Sequence, residues 1–368
     1  MSEYTAAVAM SARTGDNMDV KTLRLTIDAE HLETPQALHA LDQAAQILRD
    51  GGLVALPTET VYGLGANALD PSAVEKIFLA KQRPAWDPII VHISDESMLQ
   101  DLVTEVPGTA RKLMNSFWPG PLTLLLPRSD AVPDAVTAGR PLVGIRMPAH
   151  PVALALIRRA GVPVAAPSAN TFSHSSPTTA AHVLDDLEGR IDAILDAGPT
   201  RHGVESTVLE PGRNPMLIYR PGAVTAEQIL EVAGPVEVFE PADPLVKTPQ
   251  SPLPSPGVGL RHYAPKAKLV LIEGTLEAMS AKFTEAAEQF PLECIGVMLP
   301  EEAQWTIEAA ILYRWGSWSD PEQLAHNLYA GLRALDAEGC TVILCPLPEP
   351  GGVGAAIRDR LRKAARAS

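Results

Sequence analysis

The chain has 368 residues, of which 46% are hydrophobic and 20% are charged, and its formal net charge at pH 7 is −14. The apolar content excludes a chain that is disordered throughout, and the length favours two domains. The negative charge disfavours a dedicated duplex-binding protein, which gains affinity by neutralising phosphates, but it leaves RNA binding through a local basic patch open.

The N-terminal segment 1–21 is predicted to be a polar, flexible leader. It lacks the continuous apolar stretch of a signal peptide, and no part of the chain has the roughly 18 apolar residues of a membrane span. The chain has three cysteines, Cys294, Cys340 and Cys345. This small, odd number argues against a disulfide framework, and none of the three lies in a zinc-binding pattern. These features predict a protein of the reducing cytoplasm without a structural metal.

The predicted first domain covers residues 22–240. It begins with a strand at 22–27, a helix that Thr34 caps, a buried strand at 53–57 and a second helix from Asp70. Because helices do not separate the later strands evenly, we expect a mixed sheet rather than a doubly wound one. Further strands are predicted at 89–93, 122–126, 142–147, 162–166, 191–195, 206–210 and 216–219, and helices at 107–116, 150–160, 179–187 and 225–233.

The composition changes in the segment 241–266, which is rich in proline, serine and glycine and has no apolar period. This pattern predicts a linker stiffened by proline, although the trio Arg261-His262-Tyr263 near its end is more than a spacer needs. Residues 267–368 again alternate strands and helices, which predicts a small, parallel, Rossmann-like α/β domain with helices on both faces. Its strands are predicted at 268–272, 294–298, 309–314 and 341–345, and its helices at 275–289, 320–335 and 353–366.

Polar motifs follow several predicted strands of the first domain, at positions where α/β sheets commonly bind ligands. The motif PTETVYGLG at 57–65 supplies hydroxyls from Thr58 and Thr60, and its glycines allow close backbone approach. The motif APSAN at 166–170 continues into a run of serines and threonines. Taken alone, the first motif fits an ordinary strand-to-turn link equally well, and the second fits solvated turns and helix caps.

Two further motifs contribute cations. Lys81 and Arg83 close a helix, where cations offset the helix dipole, but without a Walker A loop they would also suit a triphosphate. Arg146, in GIRMP, ends a predicted strand and is either a surface arginine or the partner of a carboxylate. The motifs ESTV at 205–208 and YRPG at 219–222 are ordinary turns when taken singly. No G-x-S-x-G or H-E-x-x-H pattern is present.

Taken in order, the motifs PTETVYGLG, KQRP with IIVHI, SFWPGPLTLLLP, GIRMP, PSAN, ESTV and IYRPG resemble the YrdC-like family of threonylcarbamoyl-AMP synthases. The similarity runs from about residue 35 to 232. RHYAP in the linker and the second α/β domain resemble the longer, two-domain form of that family. The resemblance implies an open, twisted, mixed α/β sheet with a large concave cavity. The segments 87–89 and 172–174 depart from the family pattern.

The resemblance also implies a reaction. Family members condense L-threonine, bicarbonate or carbon dioxide, and ATP into L-threonylcarbamoyladenylate, and they release pyrophosphate. ATP and bicarbonate are then substrates, and Mg²⁺ accompanies the nucleotide. A separate tRNA threonylcarbamoyl transferase complex is the expected downstream partner, which modifies the adenosine next to a tRNA anticodon. Weak direct contact with tRNA stays open, and no membrane contact is implied.

Carried over by position, the resemblance assigns residues to both substrates. The residues assigned to L-threonine are Thr58, His92, Arg146, Ser168 and Ser206. The residues assigned to ATP are Lys81, Arg83, Ala85, Leu142, Asn170, Thr178, Arg220 and Tyr263. Arg146 would pair with the threonine carboxylate, while Lys81 and Arg83 would act as catalytic residues that stabilise the charge growing on pyrophosphate. The linker, with Tyr263 at its tip, would close the cavity against water. No protein ligand to a metal is expected.

Two other functions stay open. An RNA-binding or ribosome-associated module would use one positive cavity built from Lys81, Arg83, Arg146, Arg220 and Arg261, and the sequence does not distinguish this use from binding a triphosphate and a carboxylate. A carbamoyl-phosphate-processing enzyme would carry a YrdC-like module together with zinc-finger-like and transferase parts, for which this sequence has no motif. No motif indicates the role of the second domain.

Overall fold

The computed structural model describes residues 21–240, 253, 255–258 and 263–366. The predicted leader, apart from Lys21, and most of the predicted linker, including Arg261 and His262, lie outside the described residues. The described residues form one sheet of eleven strands and one of four. The first sheet is mixed and the second is parallel throughout, which confirms the predicted fold class. The domain boundaries drawn from the sequence stay a prediction.

Most elements lie within two residues of their predicted positions. The strands of the large sheet are β1 (Leu23–Thr26), β2 (Val54–Leu56), β3 (Gly63–Asn67), β4 (Ile90–His92), β5 (Leu122–Pro127), β6 (Leu142–Arg146), β7 (Val164–Ala165), β8 (Ala193–Asp196), β9 (Thr207–Glu210), β10 (Met216–Arg220) and β11 (Val236–Val238). The helices that accompany them are α1 (Pro35–Arg49), α2 (Pro71–Lys81), α3 (Leu99–Leu102), α4 (Gly108–Phe117), α5 (Asp134–Thr137), α6 (Pro151–Ala160), α7 (Ala180–Leu187) and α8 (Ala226–Ala233), with a 3₁₀ turn at Glu96–Met98. The second sheet and its helices are β12 (Lys268–Ile272), α9 (Leu276–Glu288), β13 (Ile295–Pro300), β14 (Ile311–Gly316), α10 (Pro321–Ala337), β15 (Val342–Pro346) and α11 (Val353–Ala365).

Capping side chains fix where the helices near the cavity begin and end. At the start of α1, the Thr34 hydroxyl accepts a hydrogen bond from the backbone N–H of Ala37 at 3.3 Å, and Asp70 caps α2 in the same way. Helix α2 ends because Gln82 adopts a left-handed conformation with φ of 54°. The chain therefore turns immediately after Lys81.

The large sheet has the order β1-β8-β2-β3-β7-β4-β6-β5-β9-β10-β11. Successive side chains of a strand point to opposite faces, so Val91 and Ile145 enter the core under α2, α4, α7 and α8, whereas their strand neighbours face the other way. Helices α1 and α6 cover that other face only around β2 and β8. The area over β4, β6 and β9 is therefore left for a cavity.

Strand β3 is the main element that the sequence analysis missed, together with α5, β11 and the short helices at 96–102. β3 pairs antiparallel with β2, so PTETVYGLG forms a hairpin rather than a loop. The sequence pattern does not predict β3 because this strand contains Gly63 and Gly65, and glycine is unfavourable in strands. At Gly65 a Cβ would lie 2.9 Å from the side chains of Leu56 and Val164, so the close neighbours require glycine.

The second sheet has the order β12-β15-β13-β14, with all strands parallel. Helices α10 and α11 pack on one face and α9 packs on the other, which confirms the prediction of helices on both faces. Val61 and Val204 from the first part of the chain complete the core under α10. The two sheets are therefore joined through apolar packing as well as through the linker.

Candidate active site

A cavity lies on the face of the large sheet that the helices leave uncovered. It contains about 570 Å³ of empty space, part of which is open to solvent. Strand ends of the large sheet line it together with Pro256, Gly257 and Tyr263 from the linker. The predicted site residues that line it are Thr58, Arg83, His92, Arg146, Ser168, Ser206, Arg220 and Tyr263. All five residues assigned to threonine thus meet in one place.

His92 and Arg146 end neighbouring parallel strands and are direct register partners. Arg146 donates hydrogen bonds from Nη1 to the Thr60 hydroxyl at 3.0 Å and from Nε to the carbonyl of Gly120 at 3.2 Å. Its Nη2 lies 2.7 Å from Oε1 of Glu59 in a buried ion pair. The guanidinium is therefore held in place with its charge already balanced.

The ring of His92 is almost fully buried, and its Nδ1 has no hydrogen-bond partner among the described residues. Burial lowers the pKa of His92 well below its usual value, and the positive charge of Arg146 lowers it further. The imidazole is consequently neutral at neutral pH. A neutral ring with an unpartnered nitrogen is suited to a hydrogen bond with a bound ligand.

The hydroxyls along this wall are partly used within the protein. The Thr58 hydroxyl donates to the carbonyl of Val61 at 2.6 Å and lies 2.8 Å from the Thr60 hydroxyl, so it closes the β2–β3 turn. The Ser206 hydroxyl contacts that of Thr123 at 2.8 Å. The Thr58 oxygen also accepts from the backbone N–H groups of Thr60 and Val61 at 3.2 Å, so its bonding capacity is used within the turn. The Ser206 oxygen also accepts from Arg220 and retains capacity for one further bond.

Besides Arg146, two more of the predicted cations line the cavity. The Nη2 of Arg83 donates to the carbonyl of Pro88 at 2.8 Å and lies 3.0 Å from a carboxylate oxygen of Asp87. Arg220, the last residue of β10, donates from Nε to the carbonyl of Ser206 at 3.0 Å and from Nη2 to its hydroxyl at 3.1 Å. Both guanidinium groups are thereby held in place, and the charge of Arg83 is balanced by Asp87 as that of Arg146 is by Glu59.

Lys81 does not line the cavity. It is 1% exposed, and its ammonium group donates to the backbone carbonyls of Ser168 and Asn170. Burial lowers the pKa of Lys81 well below its usual value, and Arg83 contributes in the same direction. In this arrangement Lys81 supports the loop at 166–170 from behind, and its predicted contact with phosphates stays a prediction.

The other residues assigned to ATP lie around the cavity rather than in its wall. Asn170 donates from Nδ2 to the carbonyls of Thr171 and His174 at 2.8 and 2.9 Å, and the Thr178 hydroxyl lies 3.3 Å from Nδ1 of His182. Leu142 lines a narrow adjoining cavity together with Pro256, whereas Ala85 is exposed in the loop after α2. The predicted residues outside the main lining are Lys81, Ala85, Leu142, Asn170 and Thr178.

Two family models match successive parts of the chain. One, described as "Telomere recombination", matches residues 46–222, and the other, described as "Threonylcarbamoyl-AMP synthase, C-terminal domain", matches residues 224–366. A curated relative from Bacillus subtilis, named threonylcarbamoyl-AMP synthase, is 45% identical over 94% of this chain and 98% of its own length. The chain belongs to the threonylcarbamoyl-AMP synthase family. A relative of the same name from Pyrococcus abyssi is 43% identical over 87% of this chain and 92% of its own.

A solved structure extends this similarity to three dimensions. The crystal structure of P. abyssi Sua5 complexed with L-threonine superposes with a TM-score of 0.83 at 40% identity. The match covers 94% of this chain and 97% of that chain. Both sheets and their relative arrangement therefore agree with a relative that has been crystallised with an amino acid.

The sequence analysis did not assign Glu59 or Glu205 to the site. Glu59 stands between two predicted ligand residues in PTET, and a carboxylate beside a buried strand needs a nearby cation. The position of Glu59 beside a buried strand was therefore sufficient to predict a cationic partner such as Arg146. Glu205 lines the cavity next to Ser206, but its partners Ser176, Tyr329 and Arg360 are distant in sequence and give no local pattern.

The described residues contain no group of three or more His, Cys, Asp or Glu side chains that could hold a metal ion. None of the helices in the described part of the chain combines the length and apolar character needed to cross a membrane.

Proposed function

We propose that the chain is a threonylcarbamoyl-AMP synthase, which condenses L-threonine, bicarbonate or carbon dioxide, and ATP into L-threonylcarbamoyladenylate and pyrophosphate. The observation that carries the proposal is the cavity that joins the His92–Arg146 pair to two further buried arginines, Arg83 and Arg220. The similarity to relatives of that name over nearly the whole chain supports the same reaction.

The end of the cavity with Arg146 and His92 fits an amino acid. The guanidinium of Arg146 offers a charge-assisted hydrogen bond to a carboxylate, and the neutral His92 ring can accept one from an amine or a hydroxyl. The threonine amine must lose a proton before its nitrogen attacks carbon dioxide. A hydrogen bond from the amine to the neutral His92 ring would hold the amine in a fixed orientation. This lowers the entropic cost of its attack on carbon dioxide.

The end with Arg83 and Arg220 fits a triphosphate. After the carbamate has formed, its oxygen attacks the α-phosphorus of ATP, and the bond to pyrophosphate breaks. Negative charge then grows on the leaving group, where two fixed guanidinium groups stabilise it without rearrangement. Tyr263 lines the same end and is our proposed contact to the nucleotide there. Lys81 and Arg83 remain our proposed catalytic pair. Arg83 lines the cavity, and Lys81 would turn from the carbonyls of Ser168 and Asn170 to reach a phosphate.

Mg²⁺ would enter with the nucleotide. Glu205 is a carboxylate in the cavity wall, but it already receives hydrogen bonds from Ser176, Tyr329 and Arg360. The ion would therefore be held by phosphate oxygens and water rather than by a protein cage. It would add positive charge where pyrophosphate leaves.

The linker residues at the cavity provide a cover. Pro256, Gly257 and Tyr263 line the cavity together with the strand ends, and Tyr263 is 4% exposed. A covered site protects the carbamate, which loses carbon dioxide readily in water, and strengthens the electrostatic interactions with phosphate. We infer that the linker closes over the bound substrates.

The burial of the cations favours this function over an RNA-binding module. Lys81, Arg83, Arg146 and Arg220 are each at most 9% exposed, so they do not form a surface for a large polyanion. The match of the second half to the C-terminal synthase domain likewise favours the synthase over a carbamoyl-phosphate-processing enzyme. The product is a reactive mixed anhydride, so we propose a tRNA threonylcarbamoyl transferase complex as its consumer, with at most weak direct contact to tRNA.

Pyrophosphate release tests the proposal. The full chain should release pyrophosphate only when L-threonine, bicarbonate and ATP are all present, and mass spectrometry should detect threonylcarbamoyl-AMP. Arg146→Lys should lower kcat/KM for threonine by about 100-fold, since it loses charge-assisted hydrogen bonds of about 1.5–3 kcal/mol. The exposed Arg158, changed to Lys, is the matched control. Release without threonine, or tight RNA binding without turnover, would contradict the proposal.

A further inference from the structure

One arginine of the second domain reaches into the wall of the cavity. Arg360, on α11, is 1% exposed although it carries a full charge. Its Nε donates to Oε2 of Glu205 at 2.7 Å, and its Nη2 donates to the carbonyl of Pro221 at 2.9 Å. Both partners belong to the large sheet's half of the chain, 155 and 139 residues earlier.

The same guanidinium also holds the linker. It lies over the ring of Tyr263, 5.0 Å from the centroid, and this ring stacks on Tyr329 of α10 with centroids 6.0 Å apart. The Tyr329 hydroxyl in turn donates to Glu205 at 3.0 Å. Arg360, Tyr329, Glu205 and Tyr263 therefore form one buried cluster, which we call the interdomain cluster.

Two of the three segments that Arg360 contacts carry Arg220 and Tyr263, which are assigned to ATP. The third carries Ser206, which is assigned to threonine but also accepts the hydrogen bonds of Arg220. Glu205 precedes Ser206, which receives the hydrogen bonds of Arg220, and Pro221 directly follows Arg220. Tyr263 lines the cavity itself. A single side chain of the second domain thus fixes the three wall segments around Arg220.

Stability alone does not account for this arrangement. Burying a guanidinium and a carboxylate costs several kcal/mol of desolvation, and an apolar pair of similar size is often as stable. Arg360 is further paired with Asp359, and Lys363 donates to the carbonyl of Gly257 at 2.7 Å. The charges therefore fix the relative position of several segments, which is the best-attested use of such clusters.

We propose that Arg360 is a positioning residue for ATP, so that the second domain completes the nucleotide end of the cavity. The inference rests on the proposed function, because ATP is the ligand of that end. The threonine end depends less on this contact. Among its assigned residues Ser206 directly follows Glu205, whereas Thr58, His92 and Arg146 are held by the turn and strands of the large sheet itself.

The test compares Arg360→Lys and Arg360→Met with Arg362→Met in the full chain. Arg362 is on the same helix, but its side chain is 52% exposed and pairs with the exposed Glu273, so it serves as the matched control. Calorimetric titration with a non-hydrolysable ATP analogue should give at least 10-fold weaker binding in both Arg360 variants. Threonine binding should change by less than 3-fold, and the control should match wild type.

Tyr329→Phe guards against variants that fail to fold, because it keeps the ring stacked on Tyr263 and removes only the hydrogen bond to Glu205. It should weaken binding of the ATP analogue in the same direction by a smaller factor, with threonine binding retained. If the Arg360 variants fold and bind the ATP analogue as wild type does, the inference is overturned. If the Arg360 variants do not fold, unchanged binding of the analogue by Tyr329→Phe overturns it. Equal loss of threonine binding also overturns it, because that result indicates general destabilisation.

The two proposals fail differently. Wild-type chain that binds the ATP analogue but shows no threonine-dependent pyrophosphate release contradicts the proposed function, while the comparison of Arg360 variants remains valid for nucleotide binding. Wild-type chain that does not bind the analogue contradicts both. Hydrogen–deuterium exchange without ligand adds a separate measurement: residues 205–208 and 220–224 should exchange faster in Arg360→Lys, and unchanged exchange there contradicts the positioning role.

Discussion

Oε1 of Glu59 lies 2.7 Å from Nη2 of Arg146, and both side chains are less than 10% exposed. The positive charge at the proposed threonine end is thus balanced by a carboxylate that belongs to the protein. A free amino acid at neutral pH is a zwitterion with no net charge. An internally balanced site suits such a ligand, because neither of its two charges has to be buried beside an unpaired one.

Glu59→Gln should separate the two roles of this pair. The variant leaves the Arg146 guanidinium buried without a counter-charge, so the free energy of unfolding should fall by about 3 kcal/mol. L-threonine should then raise the melting temperature more in the variant than in wild type, since its carboxylate replaces the lost charge. Thermal unfolding with and without threonine measures this. Asp42→Asn, which breaks the exposed pair with Arg159, is the control, and equal threonine shifts in all three proteins would refute the expectation.

Lys81→Met tests the support of the loop at 166–170. The change removes the donor to two buried carbonyls, those of Ser168 and Asn170, and should lower the free energy of unfolding by roughly 2 kcal/mol or more. Urea unfolding without ligands is the measurement. Lys76→Met is the control, because Lys76 lies on the same helix but is exposed and bonds one carbonyl. If Lys81→Met is as stable as wild type but binds ATP more weakly, the result would instead indicate that the Lys81 ammonium group contacts the phosphates.

Gly257→Ala should impair the nucleotide end without affecting threonine. Gly257 has φ of 78°, which disfavours any side chain, and an added Cβ would lie 2.6 Å from the Tyr263 hydroxyl and 2.8 Å from Cδ of Arg220. KM for ATP should therefore rise by about 10-fold, equivalent to about 1.4 kcal/mol of binding. Steady-state kinetics with each substrate varied separately gives the answer. Gly212→Ala, which has open space around it, should behave as wild type, and an unchanged KM for ATP at position 257 would count against the cover.

Buried histidines should make the fold sensitive to mild acid. Burial lowers the pKa of His92 well below its usual value and lowers that of His182 to about 4. Below about pH 6.5 the unfolded chain binds these protons while the folded chain does not, so the free energy of unfolding should fall as the pH drops from 6.5 toward 4. Urea unfolding at pH 7.5, 6.0 and 5.0 should show a shallower decline in His182→Asn. The exposed His39→Asn should keep the wild-type decline, and parallel curves for all three would disprove the assignment.

Local signals in the sequence were sufficient for most of the fold. The capping residue Thr34 and the apolar stripe after it predict α1, and short apolar runs predict the buried strands. Strand β3 escaped because the feature that fits it to its neighbours, glycine at positions 63 and 65, is also the feature that marks turns. Hydrophobic periodicity therefore predicts elements whose side chains fill the core. It misses a strand such as β3, where glycine lets the neighbouring residues pack closely.

The candidate site was predictable to the extent that motifs follow strand ends. His92 and Arg146 meet because each ends a strand and the two strands are adjacent and parallel. The direction of Lys81 was not predictable, since a lysine at a helix end reaches solvent, phosphate or a neighbouring loop with equal ease. The pairing of Glu205 with Arg360 was beyond sequence reasoning, because it joins positions 155 residues apart without any periodic pattern.

Val61 and Val204 are buried in the hydrophobic core of the second sheet, although they belong to the half of the chain that carries the cavity. A truncation at the linker would expose this apolar contact to water and would remove the hydrogen bonds that Tyr329 and Arg360 donate to Glu205. The two halves are consequently not interchangeable modules, and engineering or heterologous expression of the first half by itself would require redesign of that surface.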